Sequence, residues 1–253
     1  MKPKNYINKN ELSADFKKNG YVSVKSAFDL TDISYIAKSI ENALKIFCKN
    51  DLDYHTNIIS LNNSNKEQLY KFNFIANGLI SNFVVTKNVD NILSMLNNGN
   101  PMLGTANGAS MGGIMFGLPK DDRLAYNFHQ ESSYMRGAER IYNVHFPIFV
   151  NSTKENGTMS LLEGSNVEGQ LPFTKYRKYE NSYTDLIPNN ITYFEEKYTE
   201  VFAELDLGDC IIFDEYTIHK SNYNNTGLCR TVAVWRIFGN SNANAPILKP
   251  DDL

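Results

Sequence analysis

A chain of 253 residues with 42% hydrophobic and 21% charged side chains can bury one sizeable core. Its net charge of -3 gives no general attraction to nucleic acid or to an anionic membrane. Residues 1–6 lack the apolar stretch of a signal peptide and no later run reaches the length of a membrane span, so cytoplasmic residence is the expectation.

Residues 1–10 are polar and are expected to be mobile. A short helix is predicted over 11–18, closed by Asn19-Gly20, with glycine suited to the left-handed position after a helix. Tyr21-Val22-Ser23-Val24 then alternates as a strand. Thr31 is placed to cap a helix whose Ile33, Ile36, Ala37, Ile40, Ala43, Leu44 and Phe47 make one apolar face for packing on a sheet. Ser64-Asn65-Lys66-Glu67 has capping-box spacing before Leu69, Phe72 and Ile75, which predicts a further helix. Val89, Ile92, Leu93 and Leu96 predict another, ending in the turn at 97–101. His55, between the helices that begin at Thr31 and Ser64, has no partner at ligand spacing and reads as a surface or hydrogen-bonded histidine.

Beyond Pro101 the chain turns to glycine punctuation and short apolar or alternating runs, the mark of a β-rich domain. Strands are predicted over 111–116, 124–131, 141–150, 158–162, 210–213 and 230–238. The polar and aromatic stretch 165–206 reads as a lid-like insertion. Taken together, 1–253 reads as one domain, with a helical and strand part over 11–100 and a β core over 101–240. Cys48, Cys210 and Cys229 are odd in number and lack metal-knuckle spacing, so they read as small packed thiols.

One stretch stands out chemically. In Asn127-Phe128-His129-Gln130-Glu131, the imidazole of His129 and the carboxylate of Glu131 share a face if the segment is a strand. His219, after the apolar strand Cys210-Ile211-Ile212-Phe213, offers a third ligand. Two histidines and one carboxylate on one face form the triad that suits non-haem Fe(II). Arg230 opens the last strand, where a guanidinium can hold a carboxylate by paired hydrogen bonds. His145 has no carboxylate two residues away and reads as a supporting or sheet-packing residue.

This order of His129, Glu131, His219 and Arg230 resembles the phytanoyl-CoA dioxygenase-like family of Fe(II)/2-oxoglutarate oxygenases. Glu155-Asn156-Gly157, Glu163-Gly164-Ser165 and Leu207-Gly208-Asp209 are similar to that family's turns, and the likeness runs from about residue 11 to 238. The resemblance implies a mainly β fold with flanking helices, a double-stranded β-helix of the jelly-roll, cupin-like kind. It implies His129, Glu131 and His219 as iron ligands, with Glu131 where the family usually has aspartate. A retained carboxylate disfavours a halogenase. It further implies 2-oxoglutarate as co-substrate, its far carboxylate clamped by Arg230 and supported by Ser221, with Phe146 as an aromatic neighbour. Gln130 is given only a weak co-substrate role.

The expected partners are O2 and a small-molecule substrate; oligomeric state is not readable. Arg123, Arg136 and Arg140 flank the first ligand pair, and Tyr134, Tyr176, Tyr179 and Tyr183 are placed to line the mouth. That mix predicts hydroxylation of a small polar or anionic metabolite, giving succinate and CO2. Two other readings stay open: a non-catalytic jelly-roll binding protein, and a cupin-like metal enzyme with non-redox chemistry.

Overall fold

Apolar residues recurring at steps of three and four make the first part of the chain helical. The computed structural model describes residues 1–6, 8–64, 66–81, 87–97, 102–103, 105–106, 109–110, 112–135, 140–179 and 184–238. It places α1 at Lys9–Asn19, α2 at Leu30–Cys48, α3 at Tyr54–Ser64, α4 at Lys66–Ser81 and α5 at Lys87–Asn97. Gly20 ends α1 in the left-handed conformation (φ 80°) and returns its N–H to the Phe16 carbonyl, as the glycine predicted. The face of α2 predicted from spacing is the buried one, through Ile33, Ile36, Ile40 and Leu44.

Two helical expectations need correction. Asp29, not Thr31, precedes α2, and Thr31 lies within its first turn. The segment holding His55 is itself a helix, α3, because Asp53 caps it by accepting from the Thr56 N–H and hydroxyl. Its inner face mixes Tyr54, Ile58 and Leu61 with buried Asn57 and Asn62, which blurs the apolar period. His55 is half-buried there, and burial lowers its pKa.

The start of the chain is attached rather than loose. Lys4 pairs in parallel with Val24 and its ammonium bonds Asp15 at 2.8 Å, while the Met1 ammonium donates to the Phe202 carbonyl.

The remaining elements are strands joined by turns. They comprise β1 (Tyr21–Val24), β2 (Met102–Leu103), β3 (Thr105–Ala106), β4 (Ala109–Ser110), β5 (Gly112–Gly117), β6 (Ile141–Pro147), β7 (Ser160–Leu162), β8 (Phe173–Tyr176) and β9 (Asp185–Pro188). After helix α6 (Ile191–Lys197) come β10 (Glu200–Phe202), β11 (Cys210–Asp214), β12 (His219–Lys220) and β13 (Arg230–Phe238). The larger sheet has the order β1-β11-β6-β13-β2, with β5 also paired to β13, and the smaller is β10-β7-β12. Tyr21, Ile211 and Phe213 of the larger sheet pack with Leu161 of the smaller one, so the two face each other as a jelly roll.

The other face of the larger sheet carries the helices. Phe146 and Trp235 sit there against Phe28 at centroid distances of 4.3 and 5.6 Å. Each such side chain contributes about 1.5–3 kcal/mol by leaving water. The expected insertion at 165–206 is built structure: β8 and β9 form a hairpin, and β10 is an edge of the smaller sheet. The glycines of the three predicted turns, Gly157, Gly164 and Gly208, all take positive φ.

The turn residues 98–101, Asn65 of the predicted cap, Met111, Arg136 and Tyr183 lie outside the described residues. Cys48, Cys210 and Cys229 are free thiols, as expected. Among the described residues no helix is long and apolar enough to cross a membrane.

Candidate active site

Three elements bring the ligand-type side chains together at the mouth between the sheets. His129 and His219 exchange both backbone hydrogen bonds, at 2.9 and 3.0 Å, so their side chains emerge side by side. Their ring centroids are 4.1 Å apart.

The strand predicted over 124–131 does not form. His129 makes one isolated bridge, and Glu131 opens a 3₁₀ turn, Glu131–Ser133. β12 offers only two residues to pair with, so the chain turns away after His129. The Ser132 N–H then bonds the Glu215 carbonyl, and the Gln130 side chain bonds the Gly169 and Tyr216 carbonyls. Gln130 is thus a buried strut for this loop rather than a co-substrate contact. The turn, not strand alternation, carries the Glu131 carboxylate toward the histidines.

Ligand atoms of His129, Glu131 and His219 lie within 4.8 Å of one another, and all three residues are buried. Each imidazole is oriented from behind: Nδ1 of His129 lies 2.7 Å from the Asn127 carbonyl, and Nδ1 of His219 lies 2.9 Å from that of Thr217. A carbonyl can only accept, so Nδ1 carries the proton and Nε2 is left with its lone pair, the tautomer a metal needs. Burial, with His129 alongside, pushes His219 down to about 3, and burial also lowers His129. Both rings are neutral donors at neutral pH. Burial alone would raise the Glu131 carboxyl, but facing positive charge, that of Arg236 foremost, outweighs it and holds the pKa below its usual value. Neutral imidazole plus ionised carboxylate is a donor set that fits a divalent iron.

Arg236 was not anticipated. Its Nε donates to Glu131 Oε1 at 2.5 Å, while Glu131 Oε2 faces His219 Nε2 at 3.9 Å. A signal was present in the sequence: an arginine inside an apolar strand, an even number of residues from Arg230 and therefore on its face.

The triad opens on a cavity of about 250 Å³ that also reaches Ser221, Arg230 and His145. Arg230 is buried, and its Nε and Nη1 have no hydrogen-bond partner among the described residues. It makes no ion pair there, and burial brings its pKa down to about 10, still charged at neutral pH. Its guanidinium lies over Gly117, where a Cβ would come within 3.1 Å of Nε, so glycine makes room for it. Ser221 also lines this cavity, its backbone N–H bonded to the Tyr126 carbonyl.

Phe146 does not join the site. On β6 the inward residue is His145, opposite Val234 and Ile211, and Phe146 points the other way into the helical core. Phe146→Ala is therefore expected to lower unfolding free energy by about 3–5 kcal/mol with no selective loss of ligand binding. Chemical denaturation alongside a binding titration checks this. His145 is buried, its Nδ1 without a partner among the described residues, and burial together with Arg230 drives its pKa well down.

The other flanking residues divide. Tyr134 lines the cavity, its hydroxyl donating to the Thr184 carbonyl and accepting from the Leu186 N–H. Tyr176 and Tyr179 are exposed, and Tyr179 bonds Asp122. Arg123 is held by Asp121 and Asn62, and Arg140 leans on Glu215 and the Tyr142 ring, so neither reaches the cavity.

A jelly roll with two neutral imidazoles, a carboxylate and an unpaired arginine in one cavity defines the class of Fe(II)/2-oxoglutarate-dependent oxygenases. The family model described as Phytanoyl-CoA dioxygenase (PhyH) matches residues 16–232, and the chain belongs to that family. No curated protein matches the sequence. Among solved structures it resembles EctD from S. alaskensis with 2-oxoglutarate and 5-hydroxyectoine, at 17% identity and TM-score 0.62, over 93% of this chain and 77% of that one. It is also similar to the epimerase SnoN in complex with Fe3+, alpha ketoglutarate and nogalamycin RO, at 13% identity and TM-score 0.61, covering 94% and 86% of the two chains. A third, the apo non-heme monooxygenase ThoJ, shares 14% identity at TM-score 0.59 over 90% and 77%. These likenesses bear on the fold.

Proposed function

We propose that the chain uses Fe(II), 2-oxoglutarate and O2 to hydroxylate a C–H bond of a small molecule, releasing succinate and CO2. The observation that carries this reading is Arg230, a buried guanidinium in the same cavity as the triad whose Nε and Nη1 have no partner among the described residues. An unpaired buried charge is costly unless a ligand completes it. A dicarboxylate does so: its far carboxylate takes the guanidinium fork with the Ser221 hydroxyl beside it. His129, Glu131 and His219 would hold the metal through Nε2, one carboxylate oxygen and Nε2. Iron in such a site supplies activation of O2 coupled to oxidative decarboxylation of the 2-oxo acid.

The chain's own contribution is placement and exclusion of water. Met115, Met135, Met159, Val232 and Val234 give the cavity a largely apolar wall, and Tyr134 braces its mouth against β9. About 250 Å³ leaves room for a compact reacting group beside the co-substrate. The arginines behind the expectation of an anionic substrate are engaged elsewhere or lie outside the described residues, so we propose a small substrate whose reacting part is apolar. EctD, solved with 2-oxoglutarate and 5-hydroxyectoine, supports hydroxylation as the outcome. Three free thiols favour a reducing, cytoplasmic setting.

Anaerobic titration of the chain with Fe(II) and 2-oxoglutarate tests the reading. The expected result is the weak visible charge-transfer band of a metal-chelated 2-oxo acid. Iron uptake without that band would defeat the co-substrate assignment.

A further inference from the structure

Glutamate carries one more rotatable bond than aspartate, and its two oxygens can both turn to one metal. The function proposed above, on which this inference rests, needs three positions free on a six-coordinate iron: two for the 2-oxo acid and one for O2. A two-oxygen carboxylate would occupy one of them.

The structure separates the two oxygens. Oε1 of Glu131 is taken by Arg236 Nε at 2.5 Å, and Oε2 is the oxygen 3.9 Å from His219 Nε2. Both partners are anchored independently. Arg236 is on β13 with its backbone paired to Asn143 of β6, and Glu131 sits in the 3₁₀ turn fastened by Gln130 and Ser132. The pair is the one salt bridge of Arg236 among the described residues, and the Glu131 side chain is only 6% exposed. We propose that Arg236 is a positioning residue that confines Glu131 to one metal-facing oxygen, making a glutamate serviceable as the carboxylate of this triad. A group orienting a metal ligand from behind typically alters metal affinity by about 10- to 100-fold.

The test reads metal binding rather than turnover. The purified chain is titrated anaerobically with Fe(II) against a chromogenic chelator, and with Co(II), whose visible bands report coordination. Arg236→Met is expected to weaken Fe(II) binding about 10- to 100-fold and to change the Co(II) spectrum. Glu131→Asp shortens the carboxylate so that it cannot serve both partners; in that background Arg236→Met should add less than about threefold, because coupled residues are non-additive. Thermal melting of the metal-free variants monitors folding. If the methionine variant does not fold, Arg236→Gln takes its place, with an expected loss of about fivefold or more. Unchanged Fe(II) affinity in whichever variant folds, or losses that multiply fully in the double variant, would overturn the proposal while leaving the band with 2-oxoglutarate intact. A wild-type chain that takes up no Fe(II) would overturn the underlying reading and this proposal together.

Discussion

His219→Ala is expected to abolish both the 2-oxoglutarate charge-transfer band and O2-dependent succinate release. His219 supplies one of three convergent donors, and its ring is already neutral, buried and locked by the Thr217 carbonyl. Little reorganisation is therefore needed for it to bind metal, and among the described residues no other ligand atom converges there, His145 included. Loss of a direct ligand should exceed the 10- to 100-fold typical of its supporting partners, so a fall of more than about 100-fold in Fe(II) affinity is expected. Fold stability of the metal-free chain should change far less, because the backbone pair between His129 and His219 does not involve the ring. Circular dichroism together with the anaerobic titration separates these effects. Normal succinate release from the variant would remove His219 from the metal site.

Arg230→Met should move affinity and stability in opposite directions. The guanidinium is buried on β13 and two of its nitrogens lack partners among the described residues, which leaves its charge in a poorly solvating place. Methionine matches its length and removes that charge. The melting temperature of the variant should therefore equal or exceed that of the parent, as when buried charges give way to apolar groups of similar volume. The affinity for 2-oxoglutarate should fall by about 2–5 kcal/mol, roughly 30- to 5,000-fold, since one side of a buried charge pair is gone. Differential scanning fluorimetry and a 2-oxoglutarate titration at saturating Fe(II) measure the two. A structural arginine would give the reverse pattern, a lower melting temperature with binding retained.

The helices were legible because their apolar faces follow a single period. Isoleucines at 33, 36 and 40 with Leu44 form the buried face of α2 as spacing required. The exception, α3, buries two asparagines among its apolar residues and so weakens the pattern that would have revealed it. The triad donors were legible as residue types, because imidazole and carboxylate are rare inside an apolar β region. The path of Glu131 was not legible. It depends on how far β12 extends as a pairing partner, and on distant carbonyls at Gly169, Glu215 and Tyr216.

Phe146 and His145 make the same point from the other side. β6 is buried over its whole length, because helices cover one face of the larger sheet and the smaller sheet covers the other. Alternation then states which residues share a face but not which face looks into the cavity. That parity was settled by the register of β6 against β13 and β11, which puts His145 beside Val234 and Ile211 and sends Phe146 to Phe28 and Trp235.

The amino-acid sequence by itself determined the chemical inventory: two histidines, a carboxylate, an arginine at the start of the last strand, the glycine turns and the helix faces. Each of these is a local property, carried by residue type and by spacing along a few turns or strands. Tertiary structure alone decided that Glu131 reaches the histidines from a 3₁₀ turn, that Arg236 takes one of its oxygens, and that Nε and Nη1 of Arg230 have no partner among the described residues. Those outcomes depend on which distant backbone and side-chain groups lie opposite once the two sheets close, a relation that no local period encodes.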